Sequence, residues 1–161
     1  MLKAININVA QSQIGPNVAG TGPAFSAYAN ATVTIVNNVG TKIPLQVEEF
    51  DTNNNFDSTT NYRFQPTVAG YYQISGGTTF SPDSSGFRFV WLAKNGSAYK
   101  YFDVSLGGSP NYKQSYGSCL VYLNGTTDYV ELYALQNSGS DLTNSASINE
   151  TYLQGFLARA A

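Results

Sequence analysis

The sequence predicts an all-β domain built as a sandwich or barrel, and three observations carry that prediction. Short runs rich in Val, Ile, Thr, Tyr and Phe recur along the chain, separated by clusters of Asn, Gly, Ser and Pro. Aromatic side chains are abundant, with 12 Tyr and 9 Phe in 161 residues, and such side chains favour pleated, half-buried surfaces over helices. Two Asn-Gly dipeptides, Asn95-Gly96 and Asn124-Gly125, end strand-like runs. Asn-Gly is the strongest short-range turn signal between strands, because both residues tolerate positive φ.

The elements follow in order. Ile5, Ile7 and Val9 alternate with Asn6 and Asn8, the period of a short strand. Gly15-Pro16, Gly20, Gly22 and Pro23 then form a helix-hostile tether. Residues 1–23 therefore read as an arm and linker, and residues 24–161 as the domain. Strand-like runs are Phe25 to Val36, Ile43 to Phe50, Tyr62 to Phe64 and Tyr71 to Phe80. Phe87 to Ala93 and Ala98 to Val104 flank Asn95-Gly96 as a hairpin. Tyr112 to Leu123 ends in Asn124-Gly125, a second turn of the same kind, and Tyr129 to Leu135 follows. Tyr152 to Ala158 closes the chain.

Alternation assigns faces. Val130 and Leu132 point one way and Glu131 the other; Val90 and Leu92 share a face opposite Phe89 and Trp91. A strand with large apolar groups on both sides needs a covering on each, from a second sheet or another subunit.

Composition excludes several function classes. There is no histidine, which removes Ser-His-Asp and Cys-His catalysis and every histidine metal site. The single cysteine, Cys119, can form neither an intramolecular disulfide nor a thiolate cluster, and reads as a small buried hydrophobe. No phosphate-binding glycine loop with its lysine is present. Net charge is -2 with 11% charged residues, so nucleic-acid binding has no electrostatic support. No run approaches a membrane span of about 20 apolar residues. The N-terminus lacks the apolar core of an export signal, so a secreted role is not expected. Asp51 and Asp57 flank an Asn-rich loop and could hold a calcium ion or act as paired carboxylates. A solvated loop pair is the simpler reading. No cofactor and no enzymatic activity are expected.

The segments Phe25-Ser26-Ala27-Tyr28, Ile43-Pro44-Leu45, Glu49-Phe50-Asp51 and Asn55-Phe56-Asp57 occur in the order found in C1q-like domains. So do Arg63-Phe64-Gln65-Pro66, Val68-Ala69-Gly70-Tyr71-Tyr72, Trp91-Leu92-Ala93-Lys94-Asn95-Gly96, Tyr116-Gly117-Ser118 and Leu153-Gln154-Gly155-Phe156-Leu157. The chain from about residue 24 to 159 thus resembles the C1q/TNF-like jelly-roll family, in the form found in bacteriophage structural proteins. The resemblance implies a ten-stranded jelly-roll sandwich that packs as a homotrimer around a threefold axis. It nominates Phe25, Tyr28, Phe64, Tyr72 and Phe156 for the core or trimer interface, with Val90, Leu92, Leu120, Val130, Leu132 and Leu157 beside them.

Two viral roles compete. In the first, the trimer is a capsid decoration, or cement, protein on the virion surface. The arm tip Ile5-Ile7-Val9 would then add to a sheet edge of the major capsid protein. The lack of a shaft-forming segment ahead of the domain favours this role. In the second, the domain is the receptor-binding head of a tail fibre or spike, recognising a host-surface glycan or protein. Tyr99, Tyr101 and Tyr112 are the candidate sugar contacts, although packing of these rings between strands is the expected arrangement.

Overall fold

The alternating pattern closes into two antiparallel sheets that face each other across an apolar interior. The computed structural model describes residues 22–107 and 111–161, so Ile5, Ile7 and Val9 of the arm lie outside the described residues. The described residues form β1 (Ala24–Tyr28), β2 (Thr34–Ile35), β3 (Thr41–Lys42), β4 (Val47–Asp51), β5 (Phe56–Asp57), β6 (Arg63–Phe64) and β7 (Gly70–Phe80). They continue with β8 (Phe87–Lys94), β9 (Ser97–Leu106), β10 (Lys113–Leu123), β11 (Val130–Gln136), β12 (Leu142–Thr143) and β13 (Tyr152–Ala160). One sheet has five strands in the order β10-β7-β13-β1-β4. The other has six, in the order β5-β6-β11-β8-β9 with β3 also on β11, and β12 pairs β2 in a separate ribbon.

The expected count of ten strands is corrected to thirteen among the described residues. Two long runs break. Phe25 to Val36 splits into β1, in the five-stranded sheet, and β2, in the ribbon. Ile43 to Phe50 loses its first half, because Pro44 has no N–H to give a ladder. The chain there crosses from β3 on one sheet to β4 on the other, burying Ile43 and Leu45 on the way.

The two Asn-Gly turns part company. Asn95-Gly96 closes the β8–β9 hairpin as expected, with φ of 54° and 76° and Lys94 opposite Ser97. Asn124-Gly125 does not make a hairpin, since β10 pairs β7 while β11 pairs β8. Instead it carries the chain between sheets. The Asn124 side-chain oxygen accepts the N–H groups of Thr126, Thr127 and Asp128, which tightens the loop without fixing its partners. Gly125 has φ of 73°, and a Cβ there would stand 2.5 Å from the Ala69 nitrogen.

The interior is aliphatic and aromatic. Phe25 stacks on Phe64 at 4.1 Å and on Phe56 at 5.3 Å, and Tyr72 meets Phe64 edge-on. Val90, Leu92, Val130 and Leu132 point inward from the six-stranded sheet as alternation predicts. On the opposite side of β11, Glu131 is also buried, held by Lys42 at 2.5 Å. Strand β7 lies between β10 and β13, and a Cβ on Gly77 would meet the Ser115 carbonyl oxygen at 2.1 Å. The loops between strands are pinned by buried amides. Gln136 donates to the carbonyls of Ile35 and Ser140 and accepts from Ser138.

Candidate assembly interface

Strand alternation that fills the core with Tyr72 and Ile74 turns Tyr71, Gln73 and Ser75 of β7 outward. The same alternation buries Val121 and Leu123 of β10 and turns out Leu120 and Tyr122. In β13 it buries Leu153 and Leu157 and turns out Gln154 and Phe156. Register brings these outward groups together. Tyr122 lies opposite Tyr71, Leu120 opposite Gln73, and Gln73 opposite Phe156. The Tyr71 and Tyr122 rings pack at 5.4 Å. Phe156 is 51% and Leu120 56% exposed, and Phe50 of β4 adds a further exposed ring.

Two hollows mark this face. One, of about 560 Å³, lies among Tyr71, Leu120, Tyr122 and the segment 158–161. The other, of about 280 Å³, lies among Phe50, Gln73, Ser75, Gln154 and Phe156. Between the apolar groups are uncharged amides and hydroxyls, with Gln154 donating to Ser75, and one cation, Arg159, at the larger hollow. Aromatic groups, few charges and satisfiable polar groups are the chemistry of an interface centre.

The six-stranded sheet has its own outward aromatic cluster. Trp91 stacks on Tyr133 at 5.5 Å, and Tyr101 meets both Phe89 and Trp91 edge-on at 6.2 and 6.3 Å. These contacts cover much of Phe89 and Trp91, so the second face of β8 is roofed partly by its own neighbours.

The nominated residues therefore divide. Phe25, Phe64 and Tyr72 are fully buried within the subunit, as are Val90, Leu92, Val130, Leu132 and Leu157, so none of them is available to a second subunit. Tyr28 is half-buried, while Phe156 and Leu120 stand on the outer face. Sequence reading missed Tyr71, Tyr122 and Phe50. The signal was present at Tyr71-Tyr72, because adjacent strand residues point to opposite faces. Tyr99, Tyr101 and Tyr112 do not pack between strands: all three are exposed, Tyr101 to 65%. They lie on β9 and at the foot of β10, and β9 is the outermost strand of its sheet.

Cys119 is half-buried against the core, and burial pushes its thiol pKa up against the opposing pull of Lys100. A raised thiol pKa keeps it protonated and poorly nucleophilic. The loop carboxylates serve their own loops. Asp51 accepts the N–H groups of Asn53 and Phe56. Asp57 accepts from Thr59, Thr60 and Asn61, and those donors, led by the Thr60 and Thr59 backbone N–H groups, hold its carboxyl far below the usual range. Among the described residues no group of three His, Cys, Asp or Glu side chains is arranged to hold a metal.

No family model matches the chain, and no curated protein matches it. Several solved structures are similar to it. The globular domain of zebrafish complement 1qA matches over 87% of this chain and 99% of its own, at TM-score 0.62 and 15% identity. Murine APRIL matches over 84% and 98%, at TM-score 0.63 and 13% identity. The PRD1 vertex protein matches over 84% and 96%, at TM-score 0.52 and 15% identity. Identity this low speaks to fold alone. The chain has the sandwich architecture of the C1q/TNF jelly rolls.

Proposed function

We propose that this chain is a non-enzymatic viral structural protein that works as a homotrimer, decorating and stabilising a capsid surface. The observation that carries the trimer is the aromatic face of β10, β7 and β13, whose larger hollow is lined by a single charged side chain, Arg159. Tyr71, Leu120, Tyr122 and Phe156 together leave an apolar surface that a single subunit does not cover. Cyclic symmetry lets every copy use the same two surfaces and leaves none exposed. The family the sequence resembles assembles in this way. The viral setting is supported by that resemblance and by the likeness of fold to a phage vertex protein.

The proposed partner is the major capsid protein, reached by the arm. Ile5, Ile7 and Val9 would add a short strand to an exposed edge of the shell. Three arms per trimer raise the effective concentration, so a weak contact becomes a firm attachment. The test is to count copies per purified particle and to delete residues 1–12. A copy number in fixed ratio to the shell protein, with attachment lost in the truncated trimer, is the expected result. Full binding by the truncated form refutes the arm.

A second reading has one observation in its favour. Tyr101, Trp91 and Phe89 form an outward aromatic cluster with a hollow of about 150 Å³ beside Leu135. A tail-fibre or spike head that recognises a host-surface glycan or protein would use such a surface. A handful of copies per particle, together with cell binding lost in Tyr101→Ala, is what that reading expects.

A further inference from the structure

Outside the assembly face, a hollow lies at the β5–β6 end of the six-stranded sheet. It has a volume of about 280 Å³, and its lining mixes apolar surface from Phe56 and Pro66 with polar groups of Asn54, Asp57, Arg63, Thr67 and Thr126. That size is at the low end for small-ligand clefts and suits a single sugar ring.

Arg63 is held in place within it. Its guanidinium lies 4.2 Å from the centre of the Tyr129 ring. Its Nη2 donates to the Gln65 side-chain oxygen at 2.9 Å, and Gln65 in turn donates to the Thr126 carbonyl at 2.9 Å. A guanidinium that stacks by its face leaves its N–H groups on the edges, in a fork that matches a carboxylate. The other described cations near carboxylates are already engaged: Lys42 with Glu131, Arg88 with Asp83 and Lys94 with Asp128. Arg63 makes no salt bridge among the described residues, although the β5–β6 register sets Asp57 opposite it.

The remaining groups narrow the ligand. The Thr67 and Thr126 hydroxyls and the Asn54 amide carry no hydrogen bond within the described residues, which leaves them for neutral hydroxyl partners. Asp57 lines the same hollow and stays ionised, being saturated by the backbone and side chains of residues 59–61. Its charge disfavours a phosphate or any dianion more strongly than a single carboxylate. One negative charge next to several hydroxyls satisfies both ends of the hollow.

We propose that this hollow binds a monocarboxylated sugar, of the uronic or sialic acid type, with the carboxylate on the Arg63 fork and ring hydroxyls on Asn54, Thr67 and Thr126. The inference is independent of the assembly reading, because the hollow belongs to the opposite sheet from Phe156 and Leu120.

The test follows amide NMR spectra of the intact protein as D-glucuronate is added to millimolar levels, with N-acetylneuraminate, glucose and acetate titrated in parallel. Saturable shifts confined to residues 54–67 and 126–129 are expected with an acidic sugar. Glucose, lacking the charge, and acetate, lacking the hydroxyls, should each bind at least about tenfold more weakly. Arg63→Gln should weaken glucuronate binding by about tenfold or more while the rest of its spectrum stays unchanged. Arg63→Lys keeps the charge without the fork and should fall between. The proposal is overturned by no saturable shift with either acidic sugar, by Arg63→Gln binding as well as the parent, or by acetate binding as tightly as glucuronate.

Discussion

Phe156 is the sharpest probe of assembly, because it stands on the interface candidate and outside the buried core cluster. A Phe side chain buries about 150–250 Å² when fully covered. At 51% exposure, about 100 Å² of it remains for a neighbour to cover. At about 25 cal/mol per Å², that is about 2.5 kcal/mol for each subunit on assembly. Phe156→Thr keeps a β-branched residue in β13, so the strand itself should survive. The loss corresponds to about 50- to 100-fold in each subunit contact. Sedimentation velocity across micromolar concentrations is the assay, with thermal unfolding as a control on the fold. The parent should sediment as a trimer and the variant should dissociate within that range, with the unfolding of the dissociated subunit altered little. A variant that stays trimeric to the same dilution, or a parent that is monomeric throughout, would refute the reasoning.

The remaining predictions concern the fold that carries this face. Phe64→Ala removes the ring that joins Phe25 to Tyr72 and should cost about 3–5 kcal/mol in denaturant unfolding. Gly77→Ala would force a Cβ against the Ser115 carbonyl where β7 lies between β10 and β13. It should give insoluble protein or a large fall in melting temperature, whereas Gly139→Ala, with open space around it, should pay only for its positive φ. Asp128 is buried, and its carboxyl is held below the usual range first by the Lys94 hydrogen bond and then by Asn95. A folded-state pKa below the unfolded value stabilises the protein above about pH 4, and that stability is lost as pH falls through the folded pKa. Asp128→Asn should therefore lower stability at neutral pH and flatten the acid side of the stability profile, read from melting temperature between neutral and acid pH.

What the sequence disclosed, and what it withheld, follows from the range over which each signal acts. Alternation is local, and it placed Val90, Leu92, Val130 and Leu132 inside without knowledge of any partner strand. Asn95-Gly96 succeeded for the same reason: both flanking runs were long enough to pair with each other. Asn124-Gly125 carries an equal local signal, yet its flanking strands separate. The pairing of β10 with β7 runs through eleven residue pairs, from Lys113–Phe80 to Leu123–Gly70, and leaves β10 no choice of neighbour on that edge. Core and interface could not be told apart for the same reason. Phe25 and Phe156 are both aromatic strand residues, but Phe25 lies opposite Gly155 while Phe156 lies opposite Gln73 and Ala24 on the outer side. Only the register between β1, β13 and β7 decides which ring turns inward. A reading that counts aromatics therefore finds the amount of apolar surface and misses its side. On this sheet, the side is what separates a residue that fills the core from one left on the outer face.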